Sequence, residues 1–277
     1  MGPKLLPLTL KPGQAPKRPG RIWGHAEILG KGARWMQRSE ITEGFVDAAI
    51  PFIKKARQEN KPFYINLWPD DVHTPFWPPV EQWKDGSKRQ LFLSVLEEMD
   101  RQLGKLFDHV RNNPDLADNT LILACSDNGP EKGAGVAGPF RGYKTHLYEG
   151  GIRSSLVAWA PKLMNKEVQG TINKKSIFSA IDLVPTLLEI TETKTPKHAN
   201  FDGEPLPDVL LGKSNLSRKQ DLLFRRPPDR DSFYGVKDLP DLAIRSGKWK
   251  LLCEYDGSDA LLYDLTQDRG EKNNLTK

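Results

Sequence analysis

Three short stretches of the sequence gather side chains of the kind that do chemistry. The first is Trp68-Pro69-Asp70-Asp71-Val72-His73-Thr74-Pro75. His73 is suited to donating a hydrogen bond or carrying a proton near neutral pH. A loop histidine can equally make a purely structural bond. The second is Ser126-Asp127-Asn128-Gly129-Pro130. A carboxylate beside an amide oxygen offers hard donors for Ca2+ or Mg2+, while Asn-Gly is also a common turn dipeptide. The third runs Phe140-Arg141-Gly142-Tyr143-Lys144-Thr145-His146-Leu147-Tyr148-Glu149-Gly150-Gly151-Ile152-Arg153. It sets Arg141, Lys144, His146 and Arg153 in a glycine-rich loop. Such a loop can fold cations onto an anionic oxyester, or it can be a solvated charged loop.

In an open α/β sheet, ligands bind beyond the carboxyl ends of the strands, so the elements flanking these stretches matter. Ser39-Glu40-Ile41-Thr42-Glu43 can open a helix with Ser39 or Thr42 as its cap, and Phe45, Ala48, Ala49, Phe52 and Ile53 then share one face. Pro51 is expected to bend that helix. Phe63–Trp68 reads as a buried strand leading into the His73 stretch. Phe92, Val95, Leu96, Met99, Leu103, Leu106, Phe107 and Val110 recur at three- and four-residue steps, the stripe of a helix laid on a sheet. Thr120–Cys125 is an apolar run that fits a strand covered on both faces, as in a parallel sheet; it leads into Asp127. Ser154–Trp159 is a further strand and Phe178–Ile190 a helix with Pro185 in its first turns. Alternation of strands and helices predicts an α/β architecture. The tail differs: Leu242–Arg245, Trp249–Cys253 and Leu261–Leu265 are short strands parted by Gly247 and Asp256-Gly257, the pattern of antiparallel hairpins.

Composition bounds the function classes. The chain has 277 residues, 38% apolar and 28% charged, as in a soluble globular protein. No apolar run approaches the ~20 residues of a membrane span, and no secretory signal is visible at Met1–Pro7. Two cysteines exclude a disulfide scaffold and a four-cysteine zinc site; Cys125 and Cys253 read as unpaired core thiols. The net charge of +5 is uneven: residues 1–38 carry +7 and the rest −2. The leading segment is rich in Pro, Gly and Lys and reads as loop or extended chain. It has only Trp23 and Trp35 as aromatics, which argues against single-strand nucleic-acid binding. The expected organisation is a basic segment 1–38, an α/β domain 39–215 and a small C-terminal subdomain 216–277.

Taken in order, these stretches resemble the type I sulfatases of the alkaline-phosphatase superfamily. The resemblance extends from about Ser39 to the C-terminus. It rests on His73-Thr74-Pro75, on Glu98-Met99-Asp100 with Asn119-Thr120 and Ser126-Asp127-Asn128-Gly129, and on Gly142-Tyr143-Lys144 with Tyr148-Glu149-Gly150-Gly151-Ile152-Arg153. Asp182-Leu183-Val184-Pro185-Thr186 and Leu262-Tyr263-Asp264-Leu265 fit later segments. The resemblance implies a mostly parallel sheet sandwiched by helices, N-terminally incomplete, with the antiparallel C-terminal subdomain. It implies a sulfuric ester hydrolase acting on a sulfated carbohydrate or aryl sulfate, in the periplasm, outside the cell or in lysosomes. By the same resemblance Asp127 and Asn128 are ligands of Ca2+ (Mg2+ being the alternative), Lys144 holds a sulfate oxygen, and His73 contacts the sulfate or the leaving oxygen. His146 lies near the substrate, and Glu149 and Arg153 are structural.

The sequence also departs from the family pattern. The family nucleophile is a formylglycine made in a Cys-x-Pro-Ser-Arg motif, or from serine in some bacterial proteins. Neither Cys125-Ser-Asp-Asn-Gly nor Cys253-Glu-Tyr-Asp-Gly matches. Ser214-Asn215-Leu216-Ser217-Arg218 has part of the frame by coincidence. The family's N-terminal Asp-Asp metal pair has no counterpart, because Asp70-Asp71 belongs to the histidine stretch. The expectation is a truncated sulfatase with exposed apolar surface and no turnover by itself. The alternatives are a phosphate or phosphonate ester hydrolase of the same superfamily, and a non-catalytic short form that binds sulfated glycans.

Overall fold

A computed structural model describes residues 4–8, 11–15, 33–226 and 238–276. Most of the basic leading segment, including Lys17, Arg18, Arg21 and Lys31, lies outside the described residues. The fold is α/β, and the chain divides into two compact units: residues 1–114 with 133–135, and residues 115–132 with 136–277. Among the described residues, no helix is long and apolar enough to cross a membrane.

In the first unit, strands β1 (Lys4–Leu8) and β2 (Ala33–Gln37) pair in parallel, so part of the leading segment is sheet rather than loop. A 3-10 turn then feeds helix α1 (Ile41–Gln58). Neither Ser39 nor Thr42 caps it. Thr42 instead gives its hydroxyl to Asp71 Oδ2 at 2.5 Å. Pro51 lies inside α1, which continues through it. The buried stripe is Thr42, Val46, Ala49, Ile53 and Ala56. It is rotated from the expected face, leaving Ala48 and Phe52 exposed; the threonine and valine that hold the phase are weaker hydrophobic signals than the phenylalanines.

Helix α2 (Lys88–Arg111) opens on Ser87, whose hydroxyl accepts the Gln90 N–H. Val95, Leu106 and Val110 are buried as the stripe predicts, while Leu96 is exposed. The α1–α2 contact is finished by a polar group: fully buried Gln102 donates to the Ser39 carbonyl at 2.5 Å and accepts the Glu43 N–H at 2.7 Å. Phe63–Trp68 is not a ladder strand. Its exposure still alternates, with Phe63, Ile65 and Leu67 half-buried and Tyr64, Asn66 and Trp68 exposed. The β-rich sequence sets the period of two, but a ladder also needs a neighbouring strand.

In the second unit, β3 (Ile122–Cys125) and β4 (Leu156–Trp159) form an antiparallel pair. The expected burial on both faces is not met: Ala124, Cys125, Leu156 and Val157 are exposed. An apolar run records a demand for burial and does not fix the direction or presence of neighbours. Helix α3 is the short Glu149–Ile152, and α4 is Leu183–Ile190, with Pro185 in its first turn as expected. Four antiparallel strands close the chain in the order β5 (Leu222–Arg225), β6 (Leu242–Ser246), β7 (Trp249–Cys253) and β8 (Leu261–Asp264). Three were legible; β5 was not. Gly247, at φ 52°, turns β6 into β7 with Ser246 opposite Trp249.

Candidate functional site

The second unit brings two of the three chemistry-bearing stretches together. The turn after β3 and the glycine loop are tied backbone to backbone. Gly129 N–H donates to the Gly151 carbonyl at 2.8 Å, and Lys144 N–H to the Pro130 carbonyl at 2.9 Å. The approach is close enough to require glycine. A Cβ on Gly129 would lie 1.9 Å from the Gly150 oxygen; within the loop, one on Gly151 would lie 2.1 Å from the His146 oxygen. The turn itself is held by Ser126, whose hydroxyl donates to the Asn128 carbonyl, and by Ser154, which donates to the Ser126 carbonyl. Asp127 is exposed and Asn128 half-buried.

Lys144 is half-buried and sits between two residues in left-handed backbone, Gly142 at φ 87° and Thr145 at φ 78°. A β-branched residue there is strained, and such strain gathers at functional sites. Leu147 and Tyr148 anchor the loop in the core of the C-terminal sheet, against Ala243, Leu252 and Tyr263. Arg141 stacks 3.9 Å over the Tyr148 ring. His146 is buried with Tyr143 and Tyr148 edge-on to its ring, and its Nε2 has no hydrogen-bond partner among the described residues. Burial, reinforced by Lys132, Arg141 and Arg226, pushes its pKa below 6.5, so the imidazole is neutral at pH 7.

His73 belongs to the first unit. Its ring is exposed, and Nδ1 lies 2.8 Å from the Thr74 carbonyl. The loop that carries it is fixed by Arg38, the last residue of the basic leading segment. Buried Arg38 reaches the Asp70 carboxylate at 3.0 Å and the carbonyls of Asp70 and His73 at 2.5 and 2.9 Å. Asp71 is buried against Thr42, so neither aspartate of the pair is an open ligand. Burial pushes the Asp71 carboxyl above its ordinary value, and the Thr42 hydroxyl opposes that shift.

Cys125 and Cys253 are free thiols, as expected. The core assignment fails for Cys125, which is exposed at the open end of β3. Ser217 and Arg218 have structural work. Ser217 Oγ accepts the Ile177 N–H at 2.9 Å, and buried Arg218 pairs with buried Asp182 at 3.3 Å.

The chain is similar to known proteins in sequence and fold. The family model described as Sulfatase matches residues 21–193, more than half of the chain. The chain belongs to the sulfatase family. It is 27% identical over 258 residues to a sulfatase of Formosa agariphila, covering 85% of this chain and 46% of that protein. An N-acetylgalactosamine-6-O-sulfatase of Bacteroides thetaiotaomicron is 28% identical, with 90% and 50% covered. Human arylsulfatase A is 29% identical, with 79% and 45% covered. The crystal structure of Ps i-CgsB, solved in complex with k-i-k-neocarrahexaose, superposes with a TM-score of 0.73 at 27% identity, covering 89% of this chain and 52% of that one. The sulfatase chain thus spans about half the length of the relatives it matches.

Asp127 and Asn128 fit a hard divalent cation in donor chemistry and would supply two of its oxygens. Ca2+ takes six to eight oxygens, and among the described residues no group of three or more His, Cys, Asp or Glu could hold a metal.

Proposed function

We propose that this sulfatase chain contributes the cation turn and the anion-holding lysine of a site that hydrolyses a sulfate ester, of a sulfated carbohydrate or an aryl alcohol. One observation supports this most: the Asp127-Asn128 turn and the Lys144 loop are fastened to each other by glycine-only contacts. A carboxylate, an amide oxygen and an ammonium on adjoining loops suit an anion held between a lysine and a cation. A bound Ca2+ or Mg2+ would supply charge withdrawal from the sulfuryl oxygens.

In this reading Lys144 Nζ binds and orients a sulfuryl oxygen and favours the charge that builds there as the ester bond breaks. His73, on a loop of the first unit held by Arg38, has the chemistry to give a proton to a departing alkoxide, the role that the family resemblance implies for it. His146, neutral and buried, shapes the floor of the loop on the substrate side. The formylglycine nucleophile of the family has no counterpart among the cysteine contexts of this chain, so binding without turnover is expected of it. The family relationship also makes the periplasm, the extracellular space or the lysosome the expected compartment.

The test is a calorimetric titration of 4-nitrophenyl sulfate and 4-nitrophenyl phosphate into the 277-residue chain with Ca2+ present. The expected result is saturable binding that prefers the sulfate ester and weakens about tenfold or more in Lys144→Ala, with no release of nitrophenol. Preference for the phosphate ester, or equal affinity in Lys144→Ala, would overturn the reading; robust turnover would contradict the missing nucleophile.

A further inference from the structure

The Lys144 loop ends on charges buried far from water. Glu149, the first residue of α3, is 5% exposed, and its carboxylate lies 3.1 Å from Lys250 Nζ and 3.5 Å from Arg245. Lys250, on β7, is fully buried and also meets the Glu271 carboxylate at 2.9 Å. Glu271, again fully buried, accepts the Glu149 backbone N–H on its other oxygen at 2.7 Å. The Glu271 backbone carbonyl accepts from Arg141 at 3.2 Å. One tail residue therefore holds both ends of the segment that carries Lys144: Arg141 through its carbonyl and Glu149 through its carboxylate. These two contacts span 130 and 122 residues of sequence.

Burying two carboxylates and an ammonium is costly unless each is paired with good geometry, and an apolar filling of the same space would often be as stable. What such a network adds over an apolar contact is a fixed register. The Lys144 loop needs one, since its glycines and left-handed residues give it little preference of its own. Burial pushes the Glu271 carboxyl up, and Lys250 with the Glu149 N–H pulls it back.

We propose that Lys250 and Glu271 are positioning residues for Lys144, so that the C-terminal sheet and tail set the place of the sulfate-binding ammonium. This rests on the reading of Lys144 as a sulfate ligand.

The test compares Lys250→Met, Glu271→Gln and a control, Leu210→Ala, in the full chain. Leu210 is buried in the short helix Pro207–Leu210, which packs on α4 and makes none of these contacts. Two readouts are taken: amide hydrogen exchange, and affinity for 4-nitrophenyl sulfate. Lys250→Met is expected to speed exchange across residues 141–153 about tenfold while β6 and β8 keep their protection, and to weaken the sulfate ester about tenfold. Glu271→Gln keeps an acceptor for the Glu149 N–H and should show a smaller change in the same places. Should Lys250→Met fail to fold, Glu271→Gln decides alone. Wild-type exchange and affinity in the variants would overturn the proposal, as would the same losses in Leu210→Ala at matched stability. If the wild-type chain binds no sulfate ester, the reading of Lys144 fails, while the exchange pattern still decides whether Lys250 and Glu271 fix the loop.

Discussion

Gly151 has no room for a side chain: a Cβ there would meet the His146 carbonyl oxygen at 2.1 Å and that of Tyr143 at 2.4 Å. Gly151→Ala must push the two stretches of the Lys144 loop apart, and the expected cost is roughly 3 kcal/mol or more. A urea midpoint equal to wild type would contradict this. His146 makes a separate prediction. Its imidazole is held neutral in the folded chain, with its pKa below the ordinary 6.5. The unfolded chain binds the proton first as pH falls, so this group's share of stability is lost below about 6.5. From about pH 7 to about pH 5, wild type should lose more stability than His146→Gln; equal losses in the two would refute it. At this scale the sequence was informative where chemistry is local. The turn, the lysine and the paired glycines stand in short stretches. Arg38, Lys250 and Glu271 could not be found, because each acts on residues 21 to 130 positions away and sits in no motif.

Elements were legible in kind and less so in phase. Helix α2 follows its periodicity, because one face meets an apolar core, and strands β6 to β8 lie where their turn-bounded runs predict. Helix α1 is rotated from its most hydrophobic face, since the α1–α2 contact is organised around polar Gln102 rather than around Phe45 and Phe52. Replacing Gln102 by leucine would fill the space but leave the Glu43 N–H without its acceptor and the Ser39 carbonyl without its donor. The expected destabilisation is about 1–3 kcal/mol, read from the shift of the urea midpoint. A neutral or stabilising result would mean that the polar joint is dispensable. Phe63–Trp68 and β3 were read as covered strands from composition alone. Both have the right residues, but one has no ladder and the other opens Ala124 and Cys125 to solvent.

At the scale of the whole molecule, Tyr64 and Trp68 are each 71% exposed and Val157 is 61% exposed. Large exposed apolar groups of this kind mark surfaces that belong against something else, and the chain spans about half the length of its sulfatase relatives. By itself in solution it is expected to enhance Nile red fluorescence and to self-associate as concentration rises. A monodisperse species that leaves the dye dark would contradict that. In the proposed function the turn and the loop make one site, cation on one side and sulfate on the other. This is tested most directly by the calcium dependence of 4-nitrophenyl sulfate affinity in wild type and Asp127→Asn. Calcium should tighten binding to wild type about tenfold and have little effect on Asp127→Asn. Calcium-independent binding in wild type, or the same calcium response in both chains, would show that Asp127 and Lys144 do not share a site.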